Sequence, residues 1–142
     1  MSYTTPPPQV QQSLDVRDYR VRIVVAGSRG YANLREFHEA VCAYLENFDE
    51  PVLFISGAAP SGADALILRW CLRFGYPCLA MPADWSAHPR SAGFVRNDEM
   101  NRLATHVLAF HDGSSRGTQH MIDIATSAHH PVKVVRIQGA AL

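Results

Sequence analysis

Five short apolar runs alternate with four longer amphipathic segments between Val21 and Ile137. The short runs are rich in β-branched residues, and the longer segments carry apolar residues three and four positions apart, which is typical of helices. The predicted strands are 21–26, 52–55, 77–81, 106–110 and 132–137. The predicted helices contain Leu34, Phe37 and Val41, then Leu66 to Leu72, then Phe94, Met100 and Leu103, then the segment after Gly117. This alternation predicts an α/β fold in three layers, with a five-stranded parallel sheet and helices on both faces.

The length and composition fit one domain with an arm at its start. The chain has 142 residues, 47% of them hydrophobic, and a second full domain would not fit. Residues 1–19 carry Pro6-Pro7-Pro8 and a Gln/Ser-rich stretch with little apolar periodicity, so we predict a flexible N-terminal arm. The single folded domain is expected to span residues 20–142.

Charge, cysteines and apolar runs limit the setting of the protein. Its 13 basic and 13 acidic side chains balance, which argues against nucleic acid as the partner. The apolar runs are far shorter than the roughly 20 residues of a membrane-spanning helix. Cys42, Cys71 and Cys78 lack the spacing of a zinc site, and buried free thiols are expected. We therefore expect a cytoplasmic protein that does not bind membranes.

Glycine, hydroxyl and arginine side chains are concentrated in the loops that follow the predicted strands. Because successive parallel strands are joined by crossovers, these loops all open on one edge of the sheet, where ligands bind. Backbone N–H groups of such loops, together with helix N-termini, hold phosphate. The predicted ligand-binding residues are Gly27, Ser28, Arg29, Gly57, Ser61, Gly62, Asp64, Trp85, Arg90, Gly113, Ser114, Ser115, Arg116, Gly117 and Thr118.

Two of these side chains have alternative interpretations. Asp64 lies near the start of the second helix, where it either favours the helix dipole or accepts hydrogen bonds from ribose hydroxyls. Trp85 either packs the long third loop onto the sheet or stacks on a base. Of the four arginines near this edge, we expect at least two in one cleft; they are Arg29, Arg90, Arg96 and Arg116.

Three other site types fit poorly. Gly57 and Gly62 have the spacing of a phosphate-binding Walker loop, but Ala63-Asp64 replaces its Lys-Ser/Thr pair. The segment 113–117 reads G-x-S-x-G, as in serine hydrolases, yet the histidines that follow lie at the far end of the next helix and only one strand remains. They are His129 and His130, after Asp123. The seven histidines show no metal-ligand spacing, so neither a metal nor a cofactor is expected.

Five motifs in order resemble the YspA-like branch of the SLOG superfamily. They are Val-Ala-Gly-Ser-Arg-Gly at 25–30, Ser-Gly-Ala-Ala-Pro-Ser-Gly-Ala-Asp at 56–64, Met-Pro-Ala-Asp-Trp at 81–85, Ala-Gly-Phe-Val-Arg-Asn-Asp-Glu-Met at 92–100 and Gly-Ser-Ser-Arg-Gly-Thr at 113–118. The resemblance implies a Rossmann-like sheet that binds a nucleotide or a derivative such as AMP, ADP-ribose or an NAD-like molecule, as a homodimer. It also suggests a sensor or processing role in nucleotide signalling.

The related Lonely Guy phosphoribohydrolases imply an enzymatic alternative. Their R-K-x-x-M segment is similar to residues 96–100 here, so Arg96 is the candidate catalytic residue. The glutamate of their P-G-G-x-G-T-x-x-E motif is replaced by Met121, which cannot transfer a proton. Four carboxylates are candidates to substitute for it: Asp64, Asp84, Asp98 and Glu99. Ligand binding is thus the leading prediction, hydrolysis of a nucleotide N-glycosidic bond the alternative, and a nucleic-acid scaffold resembling DprA a third.

Overall fold

The computed structural model describes residues 14–138. A 3₁₀ turn at Val16–Asp18 precedes the alternating elements. The strands are β1 (Val21–Gly27), β2 (Val52–Ser56), β3 (Cys78–Ala80), β4 (His106–His111) and β5 (Val132–Arg136). The helices are α1 (Leu34–Leu45), α2 (Gly62–Phe74), α3 (Ala92–Leu103) and α4 (Arg116–Ser127).

The five strands form one parallel sheet in the order β3-β2-β1-β4-β5. Val24 of β1 is paired with Ile55 of β2 on one side and with Val107 of β4 on the other. The chain therefore builds outward from β1 to β3 and then returns to the opposite side of β1. The loops after β1 and β4 diverge at this reversal, which is where open parallel sheets hold their ligands.

Both faces of the sheet are covered. Ile23, Val25 and Phe54 point to one face and pack against α1 and α2, whereas Val24 and Ile55 point to the other face and pack against α3 and α4. This alternation follows from the two-residue period of a strand. Because β1, β2 and β4 are buried on both faces, these strands read as almost continuous apolar runs, whereas no residue of the edge strand β5 is buried. The predicted three-layer α/β fold is confirmed.

A few elements differ in detail from the sequence prediction. The third strand is limited to Cys78–Ala80, two residues shorter than the predicted run. Phe94 was assigned to an apolar helix face, but its side chain is 45% exposed because it borders a cavity rather than the core. Cys71 and Cys78 are buried free thiols as expected, whereas Cys42 is only half-buried and its sulfur lies 3.6 Å from His38 Nε2.

The end of the N-terminal arm contacts the domain. Leu14, Val16 and Tyr19 are partly buried against the core on the α3 and α4 face. Residues 14–19 thus belong to the surface of the fold, while residues 1–13 of the predicted arm lie outside the described residues, as do residues 139–142 of the predicted domain. In the part of the chain that is described, no helix combines the length and apolarity needed to cross a bilayer.

The rings of Tyr31, Phe37 and Phe110 form an aromatic cluster between α1 and the sheet. Phe37 is fully buried, and its ring centroid lies 4.9 Å from that of Phe110. Phe37→Ala removes this contact and leaves a cavity, so we expect it to lower the free energy of unfolding by about 3–5 kcal/mol. Leu34→Ala, on the same helix but 60% exposed, should cost less than about 0.5 kcal/mol. Urea unfolding followed by circular dichroism measures both, and equal effects would contradict the assigned core.

Candidate functional site

A cavity of about 650 Å³ opens at the carboxyl ends of β1 and β4. All four arginines considered above line it, so the loops after β1, β3 and β4 and the first turns of α3 meet around one space. The predicted site residues that line it are Gly27, Ser28, Arg29, Asp64, Trp85, Arg90, Arg96, Ser115, Arg116, Gly117 and Thr118. The sequence analysis did not select Ala26, Gly30, Ala59, Gly93, Phe94, Asn97, Met100 and Asp112, which complete the lining.

The remaining predicted residues support the cavity from outside. A Cβ at Gly57 would lie 2.6 Å from Arg96 Cζ and 2.8 Å from Asp64 Oδ2, so the absence of a side chain leaves room for both charged groups. Gly62 has φ of 73°, and a Cβ there would lie 2.6 Å from Arg29 Cα. It therefore lets α2 begin against the loop after β1. Ser61 is the exposed N-cap residue of α2 and makes no side-chain capping hydrogen bond.

The loop after β4 is held in shape by hydrogen bonds to its own side chains. Asp112 Oδ1 accepts hydrogen bonds from the N–H groups of Ser114 at 2.8 Å and Ser115 at 2.9 Å. Ser115 Oγ accepts from the N–H of Thr118 and so caps α4. Gly113 and Ser114 do not line the cavity; Gly113 supplies the positive φ of 94° that the turn requires.

The first turn of α4 lines the cavity. Arg116 and Gly117 are its first two residues, and N–H groups at these positions have no acceptor within their own helix. No heavy atom of a neighbouring residue lies within 4 Å of the point where a Cβ of Gly117 would be placed, so the backbone is open there. Together with the helix dipole, this turn has the properties of an anion-binding site.

Asp112 lies beside these donors and remains ionised. Hydrogen bonds from the Ser114 and Ser115 N–H groups, and from the Ser28 hydroxyl, lower the pKa of its carboxyl to about 2. Asp112 Oδ1, which lies 3.8 Å from His111 Nδ1, thus stabilises the loop through these hydrogen bonds. His111 Nδ1 accepts a hydrogen bond from the Gly113 N–H, and its Nε2 lies 2.9 Å from Gln119 Oε1. This arrangement fits a neutral ring that donates from Nε2.

Two further charged groups, Asp64 and Arg96, line the cavity on the β2 side. Burial raises the pKa of the Asp64 carboxyl, although the Ala59 N–H and the charges of Arg96 and Arg29 act in the opposite direction. Burial also lowers the pKa of the Arg96 guanidinium, which Asp64 partly offsets. Asp64 Oδ2 accepts from the Ala59 N–H at 3.2 Å, and Arg96 Nη1 donates to the carbonyl of Gly57.

Asn97 connects the two sides of the site. Its side chain is only 5% exposed; Oδ1 accepts from Arg96 Nε, and Nδ2 donates to the carbonyl of Gly117 at 3.2 Å and approaches His120 Nδ1 at 3.1 Å. The sequence analysis missed this residue. Its position three residues before the buried Met100 was the available signal, because that spacing places a polar amide on the inward face of α3.

Two exposed aromatic rings border the cavity. Trp85 is 49% exposed, and its ring lies 3.7 Å from the position of a Cβ at Gly93. Phe94 is 45% exposed, and its ring centroid is 4.3 Å from that of His120. Trp85 therefore packs only partly onto α3, and about half of each side chain is exposed.

The serine-hydrolase and metal-site alternatives gain no support from the geometry of the described residues. Ser115 Oγ caps the start of α4 and lies 2.8 Å from Thr118 Oγ1. His130 follows the opposite end of α4, where its Nδ1 contacts Asn101 of α3. Asp123 accepts a hydrogen bond from Gln119. Between residues 14 and 138, no three His, Cys, Asp or Glu side chains are grouped as metal ligands would be.

The low pKa of Asp112 predicts an acid-dependent contribution to stability. Because its folded-state pKa of about 2 lies below the ordinary 3.8, the stabilisation is present above about pH 4 and is lost as the pH falls toward 2. Asp112→Asn should therefore lower the free energy of unfolding at pH 7 by about 1 kcal/mol, allowing for solvent screening, and the gap to the wild type should close by about pH 2. Urea titrations at several pH values measure this gap, and a gap that does not change with pH would contradict the assignment.

Comparisons with known proteins agree with this architecture. The Gene 61 protein of Mycobacterium phage D29 is 33% identical to the chain over 117 residues, which is 78% of this chain and 93% of the relative. No solved structure matches the chain. Residues 21–88 match the model of the YspA, cpYpsA-related SLOG family, which covers β1 to the loop after β3. The chain therefore belongs to the YspA, cpYpsA-related SLOG family.

Proposed function

We propose that the protein binds a nucleotide or a nucleotide-derived ligand, such as AMP, ADP-ribose or an NAD-like molecule, in the cavity at the carboxyl ends of β1 and β4. Its family has a nucleotide-related function on a Rossmann-like fold. The observation that carries the proposal is the first turn of α4, where Arg116 and Gly117 line a cavity of about 650 Å³ and their N–H groups have no acceptor within their own helix. A mononucleotide or a larger derivative fits a space of this size.

The phosphate end of the ligand is assigned to α4. Arg116 is the first residue of α4 and lines the cavity on this side, and Arg29 lines the cavity as well. Asp112 Oδ1 is itself engaged by two N–H groups, so its charge is partly neutralised within the loop. Bidentate guanidinium contacts and helix N–H donors together hold phosphate more selectively than either does alone.

The base end is assigned to the rings of Trp85 and Phe94. Both are largely exposed and both line the cavity. Stacking of an aromatic base on such a ring contributes about 1–3 kcal/mol and tolerates different bases. The family resemblance supports our proposal of a role as a sensor or processing protein in nucleotide signalling. A homodimer and a cytoplasmic location remain predictions.

Hydrolysis of a nucleotide N-glycosidic bond is the second candidate function. Met121, at the position of the glutamate in the Lonely Guy enzymes, is fully buried in the core and does not line the cavity. The observation that favours hydrolysis is that Asp64, one of the four carboxylates proposed to replace this glutamate, lines the cavity together with Arg96. Incubation with AMP, NAD and ADP-ribose followed by chromatography separates the functions, because release of the free base supports hydrolysis and intact ligand supports binding alone.

The phosphate assignment predicts the effect of Arg116→Ala. The side chain is exposed at the cavity, so its loss should leave the unfolding midpoint within about 1 °C while lowering affinity for AMP or ADP-ribose roughly tenfold or more, as expected for a lost charge-assisted contact. Isothermal titration calorimetry measures the affinity. Arg102→Ala, at an exposed arginine in the last turn of α3 that does not line the cavity, is the matched control. Equal affinities of the two variants would contradict the assignment.

Gly117→Ala tests the same turn without removing a charge. A methyl group at this position meets no protein atom within 4 Å, and alanine is the better helix former, so stability should be unchanged or higher by up to about 1 kcal/mol. The added methyl group fills open space beside the turn to which the phosphate is assigned, so nucleotide affinity should fall by roughly tenfold or more. Thermal unfolding and calorimetry give the two values. Unchanged affinity in a stable variant would place the phosphate elsewhere.

A further inference from the structure

Asp64 and Arg96 lie on either side of Gly57 without forming a direct ion pair. Both contact the space that a Gly57 side chain would occupy, yet no N–O distance between them is within 4.0 Å in the described part of the chain, residues 14–138. Each is instead held by the backbone, Asp64 by the Ala59 N–H and Arg96 by the Gly57 carbonyl. The two opposite charges are therefore positioned independently of each other at the cavity wall.

Each group retains unused hydrogen-bonding capacity. A carboxylate accepts about four hydrogen bonds, and Asp64 receives one, from Ala59, among the residues that the structure describes. A guanidinium has five donors, and Arg96 uses two, Nε toward Asn97 and Nη1 toward Gly57, within the same residues. Because half-buried polar groups are stabilised by partners, a ligand that offers both a donor and an acceptor fits this wall.

The carboxylate of Asp64 limits which chemical group of a ligand can bind between Asp64 and Arg96. A fully ionised phosphate has no donor, so it can accept hydrogen bonds from the arginine but cannot form one with the carboxylate. A hydroxyl donates to the carboxylate and accepts from the guanidinium, and a pair of neighbouring hydroxyls uses both sides of Gly57. We propose that Asp64 and Arg96 form a hydroxyl-binding subsite through which the cavity selects a ribose over a 2′-deoxyribose nucleotide. This inference rests on the proposed function.

The fold sets a suitable distance from the phosphate turn. Asp64 follows β2 and Gly117 follows β4, with β1 between them in the sheet. Neighbouring strands are about 4.8 Å apart, so the two sites are separated by roughly 10 Å. A ribose 5-phosphate with one hydrogen bond at each end spans a distance of this order. The sugar would then lie over the end of β1, near Gly27 and Ser28, which also line the cavity.

The test compares matched ligands on three forms of the full chain. For the wild type we expect calorimetry to show AMP binding about 10- to 100-fold more tightly than 2′-deoxy-AMP, the range for a hydrogen bond to a charged group. Asp64→Ala should reduce this ratio to about one. Asp64→Asn keeps an oxygen for the Ala59 N–H and so protects the fold, and its ratio should fall to a few-fold because the hydrogen bond is then neutral. If ADP-ribose binds more tightly than AMP, ADP-ribose and its 2′-deoxyadenosine analogue replace the pair.

The possible outcomes are distinguishable. If the wild type binds none of AMP, ADP-ribose and NAD, the proposed function fails and the inference fails with it. If it binds the ribose and 2′-deoxyribose ligands equally, the proposed function stands and the subsite is refuted. If Asp64 only stabilises the loop after β2, both variants lower the unfolding midpoint but keep the wild-type affinity ratio, and this also refutes the subsite. Arg102→Ala, which lies outside the cavity, should keep the full ratio.

Discussion

The burial of β1 on both faces and its pairing on both sides determine the position of everything at the site. Ile23 and Val25 pack toward α1 and α2, Val24 packs toward α3 and α4, and the backbone is hydrogen-bonded to β2 and β4. In the sheet, β1 lies between β2 and β4, so its end separates the loops that follow these two strands. The end of β1 therefore forms the bottom of the cavity, and the small residues Ala26, Gly27 and Ser28 leave space there for a ligand.

Close backbone approach is the second constraint. Gly27 lies so near β4 and α2 that a Cβ would be 2.7 Å from Ala63 Cβ and 2.8 Å from the carbonyl oxygen of Phe110. Gly62 allows α2 to begin directly against the loop that follows β1. These contacts bring the donors of separate loops within one ligand's reach. The sequence predicts that both glycines line the ligand pocket; Gly27 lines the cavity, whereas Gly62 lies behind its wall and acts through packing.

Particular residues show how far a sequence prediction reaches. Arg29, Arg116 and Thr118 were selected because they follow strands, and topology alone sends such residues to one edge. Asn97 and Phe94 were not selected, because both lie inside a helix, where periodicity distinguishes inside from outside but not core from cavity. Asp112 was missed for a different reason: its importance comes from the N–H groups of Ser114 and Ser115, which converge on it only when the turn is formed.

The amino-acid sequence by itself determined the α/β class, the number of strands and helices, and the edge of the sheet that carries the polar loops, because these follow from the local periods of strands and helices and from the direction of crossovers. Only the tertiary structure decided which of the four carboxylates proposed to replace the glutamate enters the cavity. Asp64, Asp84, Asp98 and Glu99 were equivalent candidates along the chain, yet of these four only Asp64 lines the cavity, since its helix starts beside β1. Such a distinction depends on distances between segments far apart in sequence, and local patterns carry no information about those distances.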